Sequence, residues 1–460
     1  MNWESLKNLF DKKNLCILGF GREGKAMVDF LIKHYSGDIV VADANPEIQN
    51  SYSLTYASQL IFQTGEHYLD DLNRYDLIIK SPGIPKSQLI GKVDFQKVTS
   101  QTDLFLELFR HQVTGITGTK GKSTTSSLIY HILSSARKDT VLLGNIGIPA
   151  ISLIDRIRPE TSIIFELSSH QLEDVKHSPH IGLLLNIFEE HLDHYASFEQ
   201  YQQAKFNITR FQNQDDIFVY PANNIHIQNL LRDEGTKAIC MSYSLKYQGN
   251  IDGWWENNCI YINFEKEIRR IVLENQLELQ GEHNRLNILA ACMACLQNGI
   301  SEKVIERALP LFKPLPHRME YLGAINGKYF YNDSIATIPQ ATIAAIQTLP
   351  KVDTLIVGGY NRGINYQHFI EFLAQSSIQY LMLTGEVGKI IQEGLQTKSY
   401  KGEVRFYEDF KQLVEDAISL TPQGGTCLLS PAAASYDRFK NFEERGNLFK
   451  KIVISSNKCN

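Results

Sequence analysis

The stretch Gly115-Ile-Thr-Gly-Thr-Lys-Gly-Lys-Ser-Thr-Thr125 decides the fold of the central part of this chain. Its beginning continues an apolar run typical of a strand, and residues 124–134 have the periodicity of a helix. Between them, Gly118 and Gly121 allow backbone N–H groups to turn toward an anion at the positive end of the helix. This arrangement predicts a phosphate-binding loop, although the strict Walker pattern requires glycine in place of Ile116.

Two polar side chains of the same loop suit nucleotide phosphates. Lys122 can reach the outer phosphates, and the hydroxyl of Ser123 can bind Mg²⁺. The alternative is a simple turn, because a bare Gly-Lys-Ser sequence is common by chance. The strand–loop–helix context favours phosphate binding.

The length and charge of the chain limit its class. The 460 residues suffice for about three domains, and a net charge of −5 argues against a nucleic-acid backbone as the main partner. The first residues lack the apolar core of a signal peptide, and no run of about 18 apolar residues could span a membrane. We therefore expect a cytoplasmic protein without a membrane partner.

The seven cysteines are scattered, and only Cys292 and Cys295 form a CxxC pair. The pair lies in an apolar helical run, and no second pair lies nearby. Two buried helix cysteines are therefore favoured over a metal or redox site.

The N-terminal residues predict a Rossmann-like βαβ unit that ends near residue 100. Residues 14–18 are typical of a buried strand, the pattern Gly19-Phe-Gly-Arg-Glu-Gly24 follows, and a second strand ends at Asp43. Another strand and a sharp turn place Ser81 at a strand end. The glycine pattern also fits a NAD-dependent dehydrogenase, an alternative that leaves the phosphate loop unexplained.

Two further α/β segments follow. Short apolar strands at 162–166 and 181–186 end in polar residues, as parallel strands do beside a site. Pro314-Leu-Pro316 indicates a boundary, after which strands and helices alternate again. The sequence thus predicts an α/β chain of three domains: a Rossmann-like domain at 1–100, a P-loop ATPase-type parallel sheet at 101–313 and a Rossmann-like domain at 314–460.

Candidate metal and proton-transfer groups follow three of the predicted strands. Glu166 could bind Mg²⁺ opposite Ser123, whereas the serines after it could simply cap a helix. The acids and imidazoles of residues 186–194 suit metal binding or proton transfer, with a solvated loop as the alternative. Asn332-Asp333-Ser334 could form part of a site or only a turn.

Taken together, these stretches resemble the Mur ligase family, the cytoplasmic ligases that build the peptidoglycan stem peptide. The resemblance covers almost the whole chain and includes the shifted phosphate loop. Its other motifs are Gly144-Asn-Ile-Gly147, Glu166-Leu-Ser-Ser169, Glu190-His-Leu-Asp193, His283-Asn-Arg-Leu-Asn287, Pro316-His-Arg318 and Ser430-Pro-Ala-Ala-Ala-Ser-Tyr-Asp-Arg-Phe-Lys-Asn-Phe442.

The resemblance implies ATP and two Mg²⁺ sites, with Lys205 carried as a carbamate. The catalytic residues that it implies are Lys122, Lys205, His191 and Asn145. It implies that the metals are held by Ser123, Glu166, His191 and Lys205. ATP would be bound by Gly118, Thr119, Lys120, Gly121, Lys122, Ser123, Thr124, Asn284, Asn287, Arg318 and Asp333.

Within the family, the chain is most similar to the members that add glutamate to UDP-N-acetylmuramoyl-L-alanine through an acyl phosphate, and we expect a monomer. The uridine nucleotide would be bound by Gly19, Gly21, Arg22, Glu23, Gly24, Asp43 and Ser81. The amino acid would be bound by Thr337, Arg362, Ser435 and Phe442.

Two departures from the family pattern concern the amino-acid pocket. Ile335 stands where a lysine is common, and Gly358-Gly-Tyr-Asn-Arg362 stands where Gly-Gly-Asp-x-Lys is common. Arg362 keeps the positive charge of lysine but carries it on a planar guanidinium, which can donate two hydrogen bonds to one carboxylate, instead of on a compact ammonium. D-Glutamate is the expected substrate, and a variant that adds L-glutamate is the alternative.

Overall fold

The computed structural model describes residues 4–51, 59–144, 148–189, 194–273, 277–279 and 281–456. The chain divides into two compact units, Met1–Leu277 with His283–Phe312 and Glu278–Glu282 with Lys313–Asn460. Within these described ranges, three separate sheets carry the fold, two in the first unit and one in the second.

The first sheet is fully parallel and has the strand order β3-β2-β1-β4-β5. This order, together with the helix that follows β1, makes it the Rossmann-like sheet that the sequence predicts. Its strands are β1 Leu15–Leu18, β2 Ile39–Asp43, β3 Leu60–Thr64, β4 Leu77–Lys80 and β5 Val98–Thr99, and the helices of this part are α1 Glu4–Phe10, α2 Arg22–His34 and α3 Gln101–Phe109.

The second sheet has nine strands in the order β14-β13-β12-β11-β10-β9-β6-β8-β7. It is parallel except for the antiparallel pairs β12–β13 and β13–β14 at one edge. The strands are β6 Val113–Thr117, β7 Thr140–Gly144, β8 Ser162–Glu166, β9 Ile181–Leu184, β10 Ile217–Pro221, β11 Ile239–Ser244, β12 Gly253–Glu256, β13 Cys259–Phe264 and β14 Glu267–Val272. The helices are α4 Lys122–Ser135, α5 Ser169–Leu172, α6 Phe198–Arg210, α7 Ile225–Asp233, α8 Glu282–Gln297 and α9 Glu302–Ala308.

A shared apolar core explains why these two sheets form one compact unit. One cluster of buried side chains contains members of both sheets, among them Ile17 of β1 and Phe165 of β8. Phe105 of α3 packs edge-on against Phe165, with ring centroids 5.6 Å apart. Burial of such rings is a main source of folding free energy.

The second unit contains a sheet with the order β15-β16-β20-β17-β18-β19, in which only β15 is antiparallel to its neighbour. Its strands are β15 Glu320–Ile325, β16 Lys328–Asn332, β17 Thr354–Gly358, β18 Tyr380–Thr384, β19 Glu403–Tyr407 and β20 Thr426–Leu429. Its helices are α10 Pro339–Thr348, α11 Gln367–Gln375, α12 Gly385–Gln396, α13 Phe410–Leu420 and α14 Phe442–Ser455.

The predicted α/β class and the predicted strands are confirmed, while the domain boundaries near residues 100 and 314 stay a prediction. Cys292 and Cys295 are fully buried free thiols on α8, as the sequence favoured. Among the described residues, no helix combines the length and the apolar character needed to cross a membrane.

Candidate functional site

The backbone of the phosphate loop, residues 115–123, has the conformation that its glycines predict. Gly121 has φ of +87°, and α4 begins at the next residue. A Cβ atom at Gly121 would lie 2.4 Å from Oδ1 of Asn287. Glycine is therefore required here both by the left-handed backbone and by the close approach of α8.

The loop that follows β9 braces the phosphate loop. The side chain of Asn186 accepts from the N–H of Lys120 at 2.8 Å and donates to the carbonyl of Lys120 at 3.0 Å. The hydroxyl of Thr119 accepts from the N–H of Phe188 at 2.9 Å and also hydrogen-bonds the Tyr201 hydroxyl. From the sequence, Asn186 belonged to a candidate metal segment, and its bracing role was missed.

Two lysines that are far apart in sequence meet at the phosphate loop. Lys122 donates to the carbonyl oxygens of Gly118 at 2.9 Å and Thr119 at 3.1 Å. Lys205 of α6, which is only 1% exposed, donates to the same Gly118 oxygen at 2.9 Å. A lone helix lysine gave no signal of its own in the sequence, and the structure places it at the loop.

A buried carboxylate lies at the same end of the sheet. Glu166 is fully buried at the end of β8 and pairs with Ile116 of β6, two residues before Gly118. Ser123 is buried in the first turn of α4. A carboxylate at the end of β8 and a hydroxyl at the start of α4 are hard oxygen ligands of the kind that Mg²⁺ prefers, so the chemistry of these residues fits a magnesium ion.

The remaining metal-site predictions have different outcomes. Ser168 caps α5 through a capping box with Gln171, so one of the two serines after Glu166 does act as a helix cap. His191 and Asn145 lie outside the described residues. Among the residues that are described, no group of three or more His, Cys, Asp or Glu side chains is arranged to hold a metal.

Helix α8 brings two predicted nucleotide ligands to the phosphate loop. Asn284 and Asn287 are both buried, and Asn287 donates to Oδ1 of Asn284 at 3.3 Å. Because Asn287 lies against Gly121, these amides lie beside the loop that would hold the phosphates.

The glycine pattern after β1 also has steric reasons. Gly19 has φ of +93°, and a Cβ atom at Gly24 would lie 2.0 Å from the carbonyl oxygen of Gly19. The same oxygen accepts from the Ser81 hydroxyl at 2.7 Å. A side chain at Gly21 would meet nothing within 4 Å, so this position leaves open space at the start of α2.

Asp43 is used within the protein. Its carboxylate accepts from the N–H groups of Phe20 at 2.6 Å and Asn45 at 2.8 Å. In a dinucleotide site the corresponding acid would bind a ribose hydroxyl. The observed contacts give Asp43 a structural role in shaping the glycine turn.

Helix α2 reaches the second sheet through two side chains. Arg22 donates to the carbonyl of Gly144 at the end of β7, at 3.4 Å. Glu23 accepts from the Gln171 side chain at 2.6 Å, and burial raises the pKa of Glu23 while this hydrogen bond lowers it. The predicted nucleotide-sugar residues therefore extend to the strand end that carries Glu166.

In the second unit, Asp333 is buried directly after β16. It accepts from the Ser430 hydroxyl at 2.8 Å and from the N–H of Met319 at 3.1 Å. Burial raises the pKa of Asp333 to about 7, opposed by these hydrogen bonds and by the charge of Arg318. Arg318 and Asp333, both predicted to bind ATP, are thus close enough to interact.

Three of the predicted amino-acid residues, Thr337, Arg362 and Ser435, lie on loops at the carboxyl ends of this sheet, and Phe442 is the first residue of α14. Ser435 is buried, Phe442 and Thr337 are half-buried, and Arg362 is exposed. The carbonyl of Phe442 accepts from the Ser334 hydroxyl at 2.8 Å. Sequence reasoning missed Arg445, which is buried among the same loops.

The glycine loop, its two lysines and the buried carboxylate have the arrangement expected of a nucleotide-phosphate site of the P-loop class. Three family models match the chain: "Mur ligase MurD-like, N-terminal domain" at residues 13–97, "Mur ligase middle domain" at 116–295 and "Mur ligase, glutamate ligase domain" at 317–433.

Similar proteins agree with these matches. A protein of Caldicellulosiruptor bescii and one of Oceanobacillus iheyensis, both named UDP-N-acetylmuramoylalanine--D-glutamate ligase, are each 32% identical and cover 96% of this chain and 97% of their own. The MurF ligase of Thermotoga maritima, solved with ADP, shares the fold with a TM-score of 0.59 at 16% identity, covering 96% of this chain and 95% of its own. The chain therefore belongs to the Mur ligase family.

Proposed function

We propose that this chain is an ATP-dependent ligase that adds D-glutamate to UDP-N-acetylmuramoyl-L-alanine in peptidoglycan precursor synthesis. The observation that carries the proposal is the alignment, over 96% of the chain, with relatives that bear this activity in their names. The phosphate loop and its lysines support the use of ATP.

The nucleotide ligands in this proposal are the phosphate loop from Gly118 to Thr124, together with Asn284, Asn287, Arg318 and Asp333. Ser123 and Glu166 would hold one Mg²⁺, and His191 and carbamylated Lys205 would hold a second. When bound, magnesium-ATP supplies the phosphoryl group that activates the substrate's carboxylate as an acyl phosphate.

The protein's own groups then stabilise the charge of the transition state and position the substrates. Lys122 compensates the charge that develops during phosphoryl transfer, and the N–H groups at the start of α4 add the positive end of that helix. Asn145 positions the reacting carboxylate. The amine of glutamate attacks the activated carbonyl, forms the amide bond and releases phosphate, so exclusion of water protects the reactive intermediate.

The closeness of Lys122 and Lys205 supports the carbamylation of Lys205. Lys122 and Lys205 donate to the same carbonyl oxygen, so two ammonium groups lie close together and repel each other. Conversion of the buried Lys205 into a carbamate reverses its charge, removes the repulsion and provides oxygen ligands for Mg²⁺.

The two other ligands bind at strand ends. Gly19, Gly21, Arg22, Glu23, Gly24, Asp43 and Ser81 form the uridine-nucleotide site, and Asp43 also shapes its turn. Thr337, Arg362, Ser435 and Phe442 bind glutamate. L-Glutamate should be tested as well, because Ile335 and Arg362 change the positively charged groups of this pocket from those of the family pattern.

Phosphate release tests the proposal. The purified protein should release phosphate only when UDP-N-acetylmuramoyl-L-alanine, ATP and D-glutamate are all present. Turnover with L-glutamate and none with D-glutamate would make L-glutamate the substrate. Phosphate release without any amino acid would contradict the ligase assignment. We further propose a cytoplasmic monomer that binds neither membranes nor nucleic acid, which light scattering and fractionation can test.

A further inference from the structure

A buried arginine that the proposed mechanism does not use lies in the second turn of α14. Arg445 is 3% exposed. Its donors go to one hydroxyl and three carbonyl oxygens, and among the described residues no carboxylate forms an ion pair with it. Burying a charge without an ion-pair partner is costly, so its presence here calls for a role.

The contacts of Arg445 join loops that follow three neighbouring parallel strands, β16, β20 and β17. These strand-end loops are residues 332–337, 430–435 and 358–362. On the first, Nε donates to the Ser334 hydroxyl at 3.1 Å and Nη2 to the Ser334 carbonyl at 2.8 Å.

The second strand-end loop is held through its backbone. Nη2 of Arg445 donates to the carbonyl of Ala433 at 3.1 Å, and Nη1 donates to that of Ala434 at 3.4 Å. The preceding residue, Ala432, has φ of +56°, a left-handed conformation that is rare for a residue other than glycine. A strained turn of this kind needs its surroundings to hold it.

The third strand-end loop is linked to Arg445 through the carbonyl of Ala434. Besides accepting from Arg445, this oxygen accepts from the N–H of Tyr360 at 2.9 Å. A Cβ atom at Gly359 would lie 3.2 Å from Nη1 of Arg445, so the loop lies directly against the guanidinium. Arg362 is two residues after Tyr360.

The charge of Arg445 also matters. Burial lowers its pKa to about 10, and the charge of Asp437 opposes that change, so the guanidinium stays protonated at neutral pH. Asp437 partly offsets the positive charge without forming an ion pair. An anionic ligand at these loops would compensate the rest.

We propose that Arg445 is the positioning residue of the amino-acid site: it fixes the three strand-end loops that carry Thr337, Ser435 and Arg362, and its buried charge favours a dicarboxylate amino acid. This inference rests on the proposed function, because it assigns these loops to the amino acid.

Arg445→Met and Arg445→Lys test the inference through Michaelis constants for each of the three substrates. Loss of a charged hydrogen-bonding group corresponds to roughly 10-fold or more in binding. Arg445→Met should raise the KM for glutamate by that factor and leave those for ATP and the nucleotide sugar unchanged. Arg445→Lys, which keeps the charge, should recover part of the loss.

Arg110→Met is the matched control. Arg110 is also buried, but it pairs with Asp216 and lies in the first unit. This variant should lower the melting temperature without a selective rise in the KM for glutamate. Equal changes in all three constants for Arg445→Met, or no change, would overturn the inference.

Ser334→Ala covers the case in which Arg445→Met does not fold. It removes one acceptor of Arg445 and one donor to Phe442, and should give a smaller, still glutamate-selective rise in KM. An unselective effect would count against the inference. Wild-type protein inactive with both glutamate enantiomers would overturn the proposed function, and the inference with it, whereas wild-type activity with an unselective variant overturns the inference alone.

Discussion

The phosphate loop and the strand-end loops of the second unit are fixed by different means. Residues 115–123 depend on glycine conformation and on contacts of the loop backbone with Asn186 and Asn287. The strand-end loops depend on one buried side chain, Arg445, whose acceptors are up to 111 residues away in sequence.

This difference bears on how each site should respond to mutation. The phosphate loop presents backbone N–H groups, so a change in one of its side chains should affect chemistry more than shape. The strand-end loops share one anchor, so a change there should affect affinity for one substrate.

Lys205→Ala should have the largest effect. It removes a buried group at the phosphate loop and, in our proposal, the carbamate that binds Mg²⁺, so activity should nearly vanish. Turnover should be measured with and without added acetate, since a small carboxylate can replace part of the carbamate. Full activity of the variant would remove Lys205 from the site, and loss without rescue would argue against its modification.

Lys122→Ala should lower kcat by roughly 10²-fold or more, the scale for losing one preorganised donor to the transition state. Steady-state kinetics against ATP measure this. Lys138→Ala is the control, because Lys138 lies beyond the opposite end of α4 and donates to a carbonyl of Asn298. A kcat for Lys122→Ala close to that of the control would contradict the phosphate-loop assignment.

Arg362→Ala should raise the KM for glutamate by roughly 10- to 150-fold, the range for one charged hydrogen bond, and barely change that for ATP. Arg362 is exposed, so the melting temperature should not fall. Arg445→Met should differ by lowering both affinity and stability. An unchanged KM for glutamate would exclude Arg362 from the pocket.

The smallest effect is expected at Asp333, and it concerns how the stability of the protein changes with pH. Because burial raises its pKa from 3.8 to about 7, the folded protein keeps a proton that the unfolded chain has lost between these values. The free energy of unfolding should therefore fall as pH rises through this range, by up to about 1.4 kcal/mol for each pH unit. Urea titrations at several pH values measure this dependence of the free energy of unfolding on pH. Asp333→Asn should remove the contribution of Asp333, and an unchanged pH dependence would contradict the prediction.

The sequence predicted the parts that depend on local pattern. Gly118, Gly121 and Lys122 form a contiguous motif, and the strands were recognisable from short apolar runs. Glu166 was a candidate because it ends one of these runs. Their packing against one another follows from a parallel sheet.

Other features depend on contacts that no local pattern reveals. Lys205 reaches the loop only because α6 packs beside it, and the resemblance to a family, not the physics of the sequence, identified it. Arg445 looked like any charged residue of an amphipathic helix. Asp43 fits the pattern for ribose binding, yet its carboxylate is directed to the backbone of Phe20 and Asn45.

The most direct test of the account is phosphate release by the wild-type protein with each glutamate enantiomer in turn. We predict release that requires UDP-N-acetylmuramoyl-L-alanine, ATP and D-glutamate together, and formation of one amide bond for each phosphate. No release with either enantiomer, or release that does not depend on the nucleotide sugar, would contradict it.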